Sequence, residues 1–534
     1  MTAQTFDYSA HGLTPSRRPE IPGDRATVGA VLGWGARTSP DRLALVGRNG
    51  RYTYGQLSAV VDRAANAMLG AGIKRFDRIS GSLPNDVEIV IAFLATMRIG
   101  AIWVGLPRIL SLPEKLFILE DAGVSLLLCD KALKAQLEAR AEGAPGLTHI
   151  WDAEPGDPDS EWSRRLHAAS ARPPQVEPID PFAPAAIAYT SGTTGFPKGA
   201  VHSQHNMLVP GAVLVAIGDF GPQDNTGVVL PLTIPNLIIV GPLALLQAGG
   251  ATICIDRIDP EGLAEWIRRE GIIHMTAVPT VYHDLLSRPE LQEGLDSFIR
   301  PECGGAEMSE ELRRLFHTRF GREVQIAYGL TEAPTRVTWH QDDKPVAGAC
   351  GQACPHLTIH VLGEKGEALA PGEIGEIWVG PREEGPFAGV YTPFLGYWMR
   401  PEATHEALRD GLLNTGDLGC LDAAGNLFIK GRRKELILRG GANVYPAEIE
   451  RVLCLDKRVK AAAVLGAPDA RLGERVVAFV QFEEGQGASF EDLRALCEAN
   501  LARYKVPSEF RAVEEFPRNA MNKIVKPKLA ALLV

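Results

Sequence analysis

Cysteine is scarce and scattered, with eight residues at 129, 254, 303, 350, 354, 420, 454 and 497 in a chain of 534. That spacing excludes the dense disulfide framework of a small secreted scaffold and fits a reducing compartment. Basic charge is also short. The 55 Lys and Arg are outnumbered by 65 Asp and Glu, a formal net charge of −10, so nucleic acid is not expected as a partner. No Gly-Lys dipeptide occurs anywhere, which excludes a Walker phosphate loop ending in Gly-Lys-Ser/Thr. The N-terminal segment lacks the apolar core of a secretory signal, and Ala-Leu-Leu-Val at the C-terminus is no peroxisomal address, so a cytoplasmic protein is expected. No transmembrane segment is expected either. Residues 225–255 are uncharged, but Pro231, Pro235, Asn236, Pro242, Gln247 and Gly249-Gly250 divide them into a strand at 228–232, a short apolar helix and a strand at 251–255.

What is present is a chain long enough for several compact units, with 45% hydrophobic and 22% charged residues, inside the range of globular proteins that build their own core. Short apolar runs at 125–129 and 186–189 alternate with helical patterns at 59–68 and 261–270, the grammar of an α/β fold with largely parallel strands. From about residue 346 the character changes. Short segments at 358–362, 373–379 and 426–430 are separated by turn clusters, as in a β-rich subdomain. After the basic knot Gly431-Arg432-Arg433-Lys434, helix and strand alternate again, with apolar strands at 461–465 and 476–482, which reads as a small C-terminal domain. The Pro-rich stretch 172–184 reads as a linker.

The strand at 186–189 opens directly into Thr190-Ser191-Gly192-Thr193-Thr194-Gly195-Phe196-Pro197-Lys198-Gly199. Hydroxyl side chains, glycines that let backbone amides approach closely and a single lysine make a loop suited to phosphate oxygens. Further motifs follow in order: Gly304-Gly305-Ala306-Glu307, Ala327-Tyr328-Gly329-Leu330-Thr331-Glu332, Thr415-Gly416-Asp417-Leu418-Gly419, Gly431-Arg432-Arg433-Lys434-Glu435, Asn443-Val444-Tyr445-Pro446-Ala447-Glu448, and Tyr504-Lys505-Val506-Pro507 with Pro517-Arg518-Asn519-Ala520-Met521-Asn522-Lys523. Together they cover essentially the whole chain and resemble the adenylate-forming superfamily of acyl-CoA synthetases, insect luciferases and peptide-synthetase adenylation domains. The resemblance implies an α/β fold in which residues 1–431 form a large N-terminal domain of two α/β subdomains plus a distorted β-barrel. Residues 432–434 are then a hinge, and 435–534 a small mobile α+β domain.

Activating a carboxylate requires attack on the α-phosphorus of ATP with pyrophosphate leaving, so growing charge on phosphate oxygens calls for fixed donors and a metal. By resemblance, the loop from Thr190 to Lys198 holds the pyrophosphate. Thr331 touches phosphate and Glu332 helps to hold Mg²⁺, a hard cation that prefers carboxylate oxygen. Tyr328 and the backbone around Gly305 and Ala306 form the adenine slot, with Glu307 and Gly329 in the same nucleotide-binding set. Asp417 is the ribose ligand, since a carboxylate can accept from both sugar hydroxyls. Arg432 contacts the nucleotide and Lys434 is the pivot between two half-reactions. Lys523 brings its ammonium to the carboxylate and α-phosphate, and rotation replaces it with the loop of Arg439, Gly440 and Gly441 for coenzyme A. Without the resemblance, Glu332 reads as a loop acid, Asp417 as a turn residue, and Arg432, Lys434 and Lys523 as solvated charges.

Departures from the family pattern are informative. Asn522 replaces the usual glycine before the lysine, and Asn tolerates the same left-handed backbone. Ile234 stands near the point where peptide synthetases place an aspartate for the amino-acid ammonium, which argues against amino-acid substrates. The acyl pocket implied by resemblance (Ile234, Asn236, Leu237, Val278, Ala333) is mostly apolar and suits a fatty, alicyclic or aromatic acid. Arg336 could bind a second carboxylate if turned inward, although an exposed loop arginine is expected. The basic residues from Arg503 to Lys528 read either as an attraction for CoA phosphates or as a solvated face. Cys350, Cys354, His356 and His360 mimic metal spacing, but 357–362 reads as a strand, on which residues four apart are separated by roughly 13 Å, too far to share one zinc. The expected function is ATP-dependent carboxylic acid:CoA ligation, with ATP, Mg²⁺ and coenzyme A as cofactors and a small acid as partner. A homodimer stands among the partner expectations, and loading of a separate carrier protein, a luciferase-like oxygenase and a degenerate acyl-nucleotide binder stand as alternative functions. An end at Val534 with no carrier domain following argues against a peptide-synthetase module.

Overall fold

Two parallel sheets and a shared helical layer make up the larger part of the chain. The computed structural model describes residues 6–19, 21, 27–140, 146–190, 197–304, 308, 310–340, 346–439, 442–469, 471–519 and 522–533. The chain divides into two units, the first comprising Met1–Ala347, Gly351–Thr358 and Val379–Leu413, the second Gly348–Cys350, Ile359–Trp378 and Asn414–Val534.

In the first unit, one seven-stranded sheet runs in the order Gln325–Ala327, Arg300–Gly304, His274–Ala277, Asn225–Val228, Ala251–Cys254, Leu43–Val46 and Arg51–Thr53. Every pairing is parallel except the last. The second seven-stranded sheet has the order Gly396–Tyr397, Lys198–Ser203, Pro184–Thr190, Ile102–Gly105, Arg78–Ser82, Val124–Cys129 and His149–Asp152. It is parallel from Pro184–Thr190 onward and antiparallel at the two strands before it. The helix Val87–Arg98 is apolar almost all round, and its buried Val90, Phe93 and Met97 join one core with Leu45 and Cys254 of the first sheet and Trp103, Leu126 and Ala186 of the second. A helix hydrophobic on every face must be buried on every face. Asp86 starts it by accepting from the Val87 N–H.

The helical pattern expected at 261–270 is the helix Pro260–Glu270, with Asp259 as N-cap, Leu263, Trp266 and Ile267 buried, and Gly271 ending it at φ +58°. The expected strand at 228–232 lies earlier, at Asn225–Val228. Beyond it the Asn85 side chain takes over the backbone, donating to Leu230 O at 2.8 Å and accepting from Leu232 N at 2.9 Å, so those groups are satisfied without a sheet partner. The apolar helix that follows runs from Pro235–Ile238 through a π turn at Ile239–Leu243 into Ala244–Ala248. The wider turn accommodates Pro242, which lacks an N–H to donate. Among the described residues no helix is long and apolar enough to cross a membrane.

The β-rich stretch appears as Leu357–Leu362, Gly375–Pro381, Leu408–Arg409, Leu412–Leu421 and Leu427–Arg432, members of one five-stranded sheet. The second unit ends in a sheet ordered Ala442–Val444, Ile437–Arg439, Gly473–Phe482 and Val459–Asp469, with Glu509–Ala512 parallel to Gly473–Phe482. Ile449, Val452, Leu493 and Cys497, from the helices Pro446–Leu453 and Phe490–Asn500, cover one face of this sheet, and Phe516 and Leu529 cover the other.

Candidate active site

The loops singled out in the first unit all leave the carboxyl ends of parallel strands, the edge at which doubly wound sheets bind ligands. Thr190 ends the strand Pro184–Thr190, and Lys198 starts the antiparallel return, with Thr190 registered against Lys198 and its Oγ1 donating to Lys198 O at 3.4 Å. The strands on either side of the Thr190–Lys198 segment therefore pair as a hairpin, whereas a Walker loop leads into a helix. Ser191, Gly192, Thr193, Thr194 and Gly195 lie outside the described residues, as do Gly305, Ala306 and Glu307 after the strand Arg300–Gly304, and Gly440 and Gly441. Asp121 braces the entry to the hairpin. It accepts from Tyr189 Oη at 2.7 Å and pairs with Arg400 at 2.6 Å, and burial followed by this carboxylate raises the Tyr189 phenol far above its ordinary pKa.

The strand Gly396–Tyr397 lies on the other side of Lys198–Ser203, with Tyr397 opposite Ala200. There Tyr397 Oη donates to Glu332 Oε1 at 2.6 Å, and Lys198 Nζ stands 5.3 Å from the centroid of the same ring. The Phe394 N–H donates to Glu332 O at 2.9 Å. Lys198 and Glu332, far apart in sequence, are thus gathered around one tyrosine that the sequence reading did not single out. Its only signal is an aromatic pair, Tyr397-Trp398, following a glycine.

Tyr328, Gly329, Thr331 and Glu332 belong to a loop pinned where it begins and ends. Tyr328 N donates to Thr338 Oγ1 at 3.1 Å, and Val337 N donates to Tyr328 O at 2.9 Å. Below it His202 is fully buried, and burial pushes its pKa down to about 3 against a smaller opposing pull from the Thr331 backbone. Asn236 serves this loop, its amide donating to Leu330 O at 3.0 Å. Ile234 and Leu237 flank Asn236 and are partly exposed, whereas Ala333, bridged to Leu330, is buried, as is Val278 at the end of the strand His274–Ala277.

Arg336 is not the exposed arginine expected. Its side chain is only 10% exposed and binds Asp219 Oδ2 at 2.7 Å and the Glu302 carboxylate. Burial alone would raise both carboxyls, but Arg336 first and His274 after it outweigh burial and hold both below the ordinary range. A second positive partner, Arg300, donates to Asp219 O and pairs with Asp224 at 2.7 Å. The Arg336 charge is therefore already matched inside the protein, and no carboxylate of a substrate is needed to balance it.

In the second unit, the strand pairing sets Asp417 opposite Arg432. Asp417 is 4% exposed and meets Arg432 Nε at 2.7 Å, and its own N–H donates to Thr415 Oγ1 at 3.1 Å. Lys523 follows Asn522, whose φ of +59° is the left-handed conformation expected of it. The turn is closed by Asn519 N donating to Lys523 O at 2.9 Å and Lys523 N to Asn519 Oδ1 at 3.0 Å. By surface area the Lys523 side chain is accessible to water, yet the protein crowded about its ammonium, and then Arg432, lower its pKa, with Asp417 pulling the other way.

Lys434 is exposed in a short turn, between Arg433, which pairs with Glu376, and Glu435, which binds Lys526 Nζ at 2.6 Å. Arg439 donates to the carbonyls of Tyr504 and Val506 at 2.8 and 2.9 Å. Much of the basic face at 503–528 is likewise engaged, Lys505 with Glu448 at 2.7 Å, Arg511 with Glu509 at 2.6 Å and Lys526 with Glu450 at 2.8 Å. Of the apparent metal quartet, His356 is buried against Thr335 Oγ1 at 2.9 Å and the strand Leu357–Leu362 carries His360. No cluster of three or more His, Cys, Asp or Glu that could hold a metal occurs among the described residues.

Comparison with known proteins identifies the family. A family model described as AMP-binding enzyme matches residues 32–391, and one described as AMP-binding enzyme C-terminal domain matches residues 448–523. The chain is 31% identical to an indoleacetate–CoA ligase of Aromatoleum aromaticum, covering 90% of this chain and 93% of that one. It is 32% identical to a sulfoacetate–CoA ligase of Cupriavidus necator, covering 94% and 97%. The crystal structure of ATP-bound MatB from Rhodopseudomonas palustris is similar at a TM-score of 0.86 and 31% identity, over 95% of this chain and 99% of that one. With likeness along nearly its whole length, the chain belongs to the AMP-binding enzymes, the adenylate-forming family.

Proposed function

We propose that this protein is an ATP-dependent carboxylic acid:CoA ligase of two half-reactions. In the first, a carboxylate oxygen attacks the α-phosphorus of ATP, and the bond to pyrophosphate breaks as the acyl-adenylate forms. In the second, the sulfur of coenzyme A attacks the acyl carbon, and AMP leaves as the thioester forms. The observation that carries this reading is the gathering of Lys198 and Glu332 around Tyr397 beside the hairpin that Thr190 enters. A fixed cation beside a loop rich in hydroxyls and glycines suits the charge that develops on a departing pyrophosphate.

Glu332 fits Mg²⁺, which takes one or two carboxylates and fills its remaining positions with water and substrate phosphate. One of its oxygens accepts from Tyr397, which fixes the carboxylate without cancelling its charge. When bound, the cation would neutralise phosphate oxygens. Thr331 is the neighbouring phosphate contact in this reading, Asp417 the ribose ligand and Lys523 the cation that serves adenylation. Arg432 gives Asp417 a charged partner at one carboxylate oxygen, Oδ1. Lys434 as a pivot is supported by its neighbours, each tied by an ion pair, Arg433 to Glu376 and Glu435 to Lys526.

The acids named for the relatives range from indoleacetate to sulfoacetate, so the acid class rests on the pocket. Ile234 and Leu237 offer apolar surface, Val278 and Ala333 are apolar and buried behind the loops that carry them, and Arg336 is matched by Asp219 and Glu302. Both favour an apolar monocarboxylic acid, whose burial supplies about 25 cal/mol per Å². The test is a panel of aliphatic, alicyclic, aromatic, dicarboxylic and amino acids, scored by acid-dependent pyrophosphate release and CoA-dependent AMP formation. Faster turnover of free amino acids or dicarboxylates than of every monocarboxylate would overturn the pocket reading. Pyrophosphate release without a thioester product would overturn the choice of coenzyme A as acceptor.

A further inference from the structure

Tyr397 stands between two groups of opposite charge. Its hydroxyl donates to Glu332 Oε1 at 2.6 Å, and its ring lies 5.3 Å from Lys198 Nζ. The residue is held from several sides. Its strand pairs it with Ala200, its N–H donates to Thr404 Oγ1 at 2.9 Å, and its ring meets Phe394 edge-on at 4.8 Å. An ammonium and a carboxylate this close to one side chain would gain by collapsing onto each other, and incoming phosphates and cation would have to break that pair. A neutral phenol avoids the collapse. It donates one hydrogen bond to the carboxylate while leaving its charge intact, and the negative face of its ring holds the ammonium.

We propose that Tyr397 is a positioning residue, a neutral spacer that keeps Glu332 directed at Mg²⁺ and Lys198 directed at the pyrophosphate oxygens. The inference rests on the ligase reading of those two residues. Tyr397→Phe removes only the hydrogen bond, and Tyr397→Leu removes the ring as well. ATP binding is measured by calorimetry on the full chain with and without Mg²⁺, and adenylation by acid-dependent pyrophosphate release across a Mg²⁺ titration.

Tyr397→Phe should bind ATP alone as the parent does, yet lose roughly tenfold of the enhancement that Mg²⁺ gives, the scale of one hydrogen bond to a charged group. Its adenylation rate should recover at high Mg²⁺. Tyr397→Leu should in addition weaken the binding of ATP alone and should not recover. Glu332→Gln separates the two levels of the argument. If Glu332→Gln abolishes the Mg²⁺ enhancement and Tyr397→Phe leaves it unchanged, the spacer role is overturned and the ligase reading stands. If Glu332→Gln itself leaves the enhancement untouched, the metal role of Glu332 is wrong and the spacer role falls with it.

Discussion

Replacing Arg336 by methionine keeps most of the side chain's bulk and strands the buried Glu302 carboxylate and the partly buried Asp219. In the native protein the guanidinium meets both Asp219 and Glu302 with only 10% of its side chain exposed. Removing one member of a buried ion pair costs about 3–5 kcal/mol, because the remaining charge is left uncompensated. Arg300 and His274 still face Asp219, and His274 still faces Glu302, so the lower part of that range is expected, about 3 kcal/mol. The pH dependence follows from the directions of the shifts. With Arg336 present, both carboxyls are depressed when folded, so their contribution is complete above the unfolded values near 4 and is lost as pH falls through the folded ones. Without Arg336, burial dominates at Glu302 and raises it, so the penalty is largest at neutral pH and shrinks on acidification. Seven of the eight tryptophans lie in the first unit, all except Trp378, so urea unfolding followed by their fluorescence reports the right transition. Arg336→Met should lose about 3 kcal/mol at pH 7.5 and clearly less at pH 5.5, and adding Glu302→Gln should restore part of the loss. A loss below about 1 kcal/mol, or one equal at the two pH values, would refute the account of a buried, charge-matched cluster.

Lys523→Ala should slow adenylation roughly a hundredfold, the scale of one charge-assisted contact in a transition state, while thioester formation from synthetic acyl-adenylate stays within a few-fold. Comparable losses in both half-reactions, in a folded protein, would sink the division of labour between them. Because crowding and then Arg432 lower its pKa, Lys523 should lose its proton below the ordinary lysine value near 10.4. The alkaline limb of the adenylation profile should therefore lie below that value and move upward in Arg432→Gln, which leaves Asp417 facing the ammonium; a limb that stays put would contradict the assignment. At Asn522, with φ of +59°, glycine should preserve adenylation, whereas valine should reduce it severalfold through a penalty of about 1–2 kcal/mol for left-handed backbone; equal rates for the two variants would show that the turn does not set Lys523.

The sequence by itself determined what depends on near neighbours. Alternation and spacing marked the strands at 125–129 and 186–189, observed as Val124–Cys129 and Pro184–Thr190, because the period of an apolar run is a local property. The left-handed turn at Asn522 was legible for the same reason, since backbone preference belongs to one residue. Tertiary structure decided which single polar groups meet. Asn85 ends a strand 147 residues away by binding Leu232, Arg336 finds Asp219 across 117 residues, and Tyr397 reaches Glu332 across 65. No periodicity encodes such a meeting. A lone arginine in a loop has the same sequence signature whether it is solvated or buried, and only the packing of the strands Arg300–Gly304 and His274–Ala277 placed Glu302 and His274 where Arg336 turns inward. The apolar character of Ile234, Leu237, Val278 and Ala333, the residues proposed for the acyl pocket, belongs to the residue types. That Arg336 is matched from within by Asp219 and Glu302 was not readable from the sequence, because charge matching at a distance is a property of the folded chain.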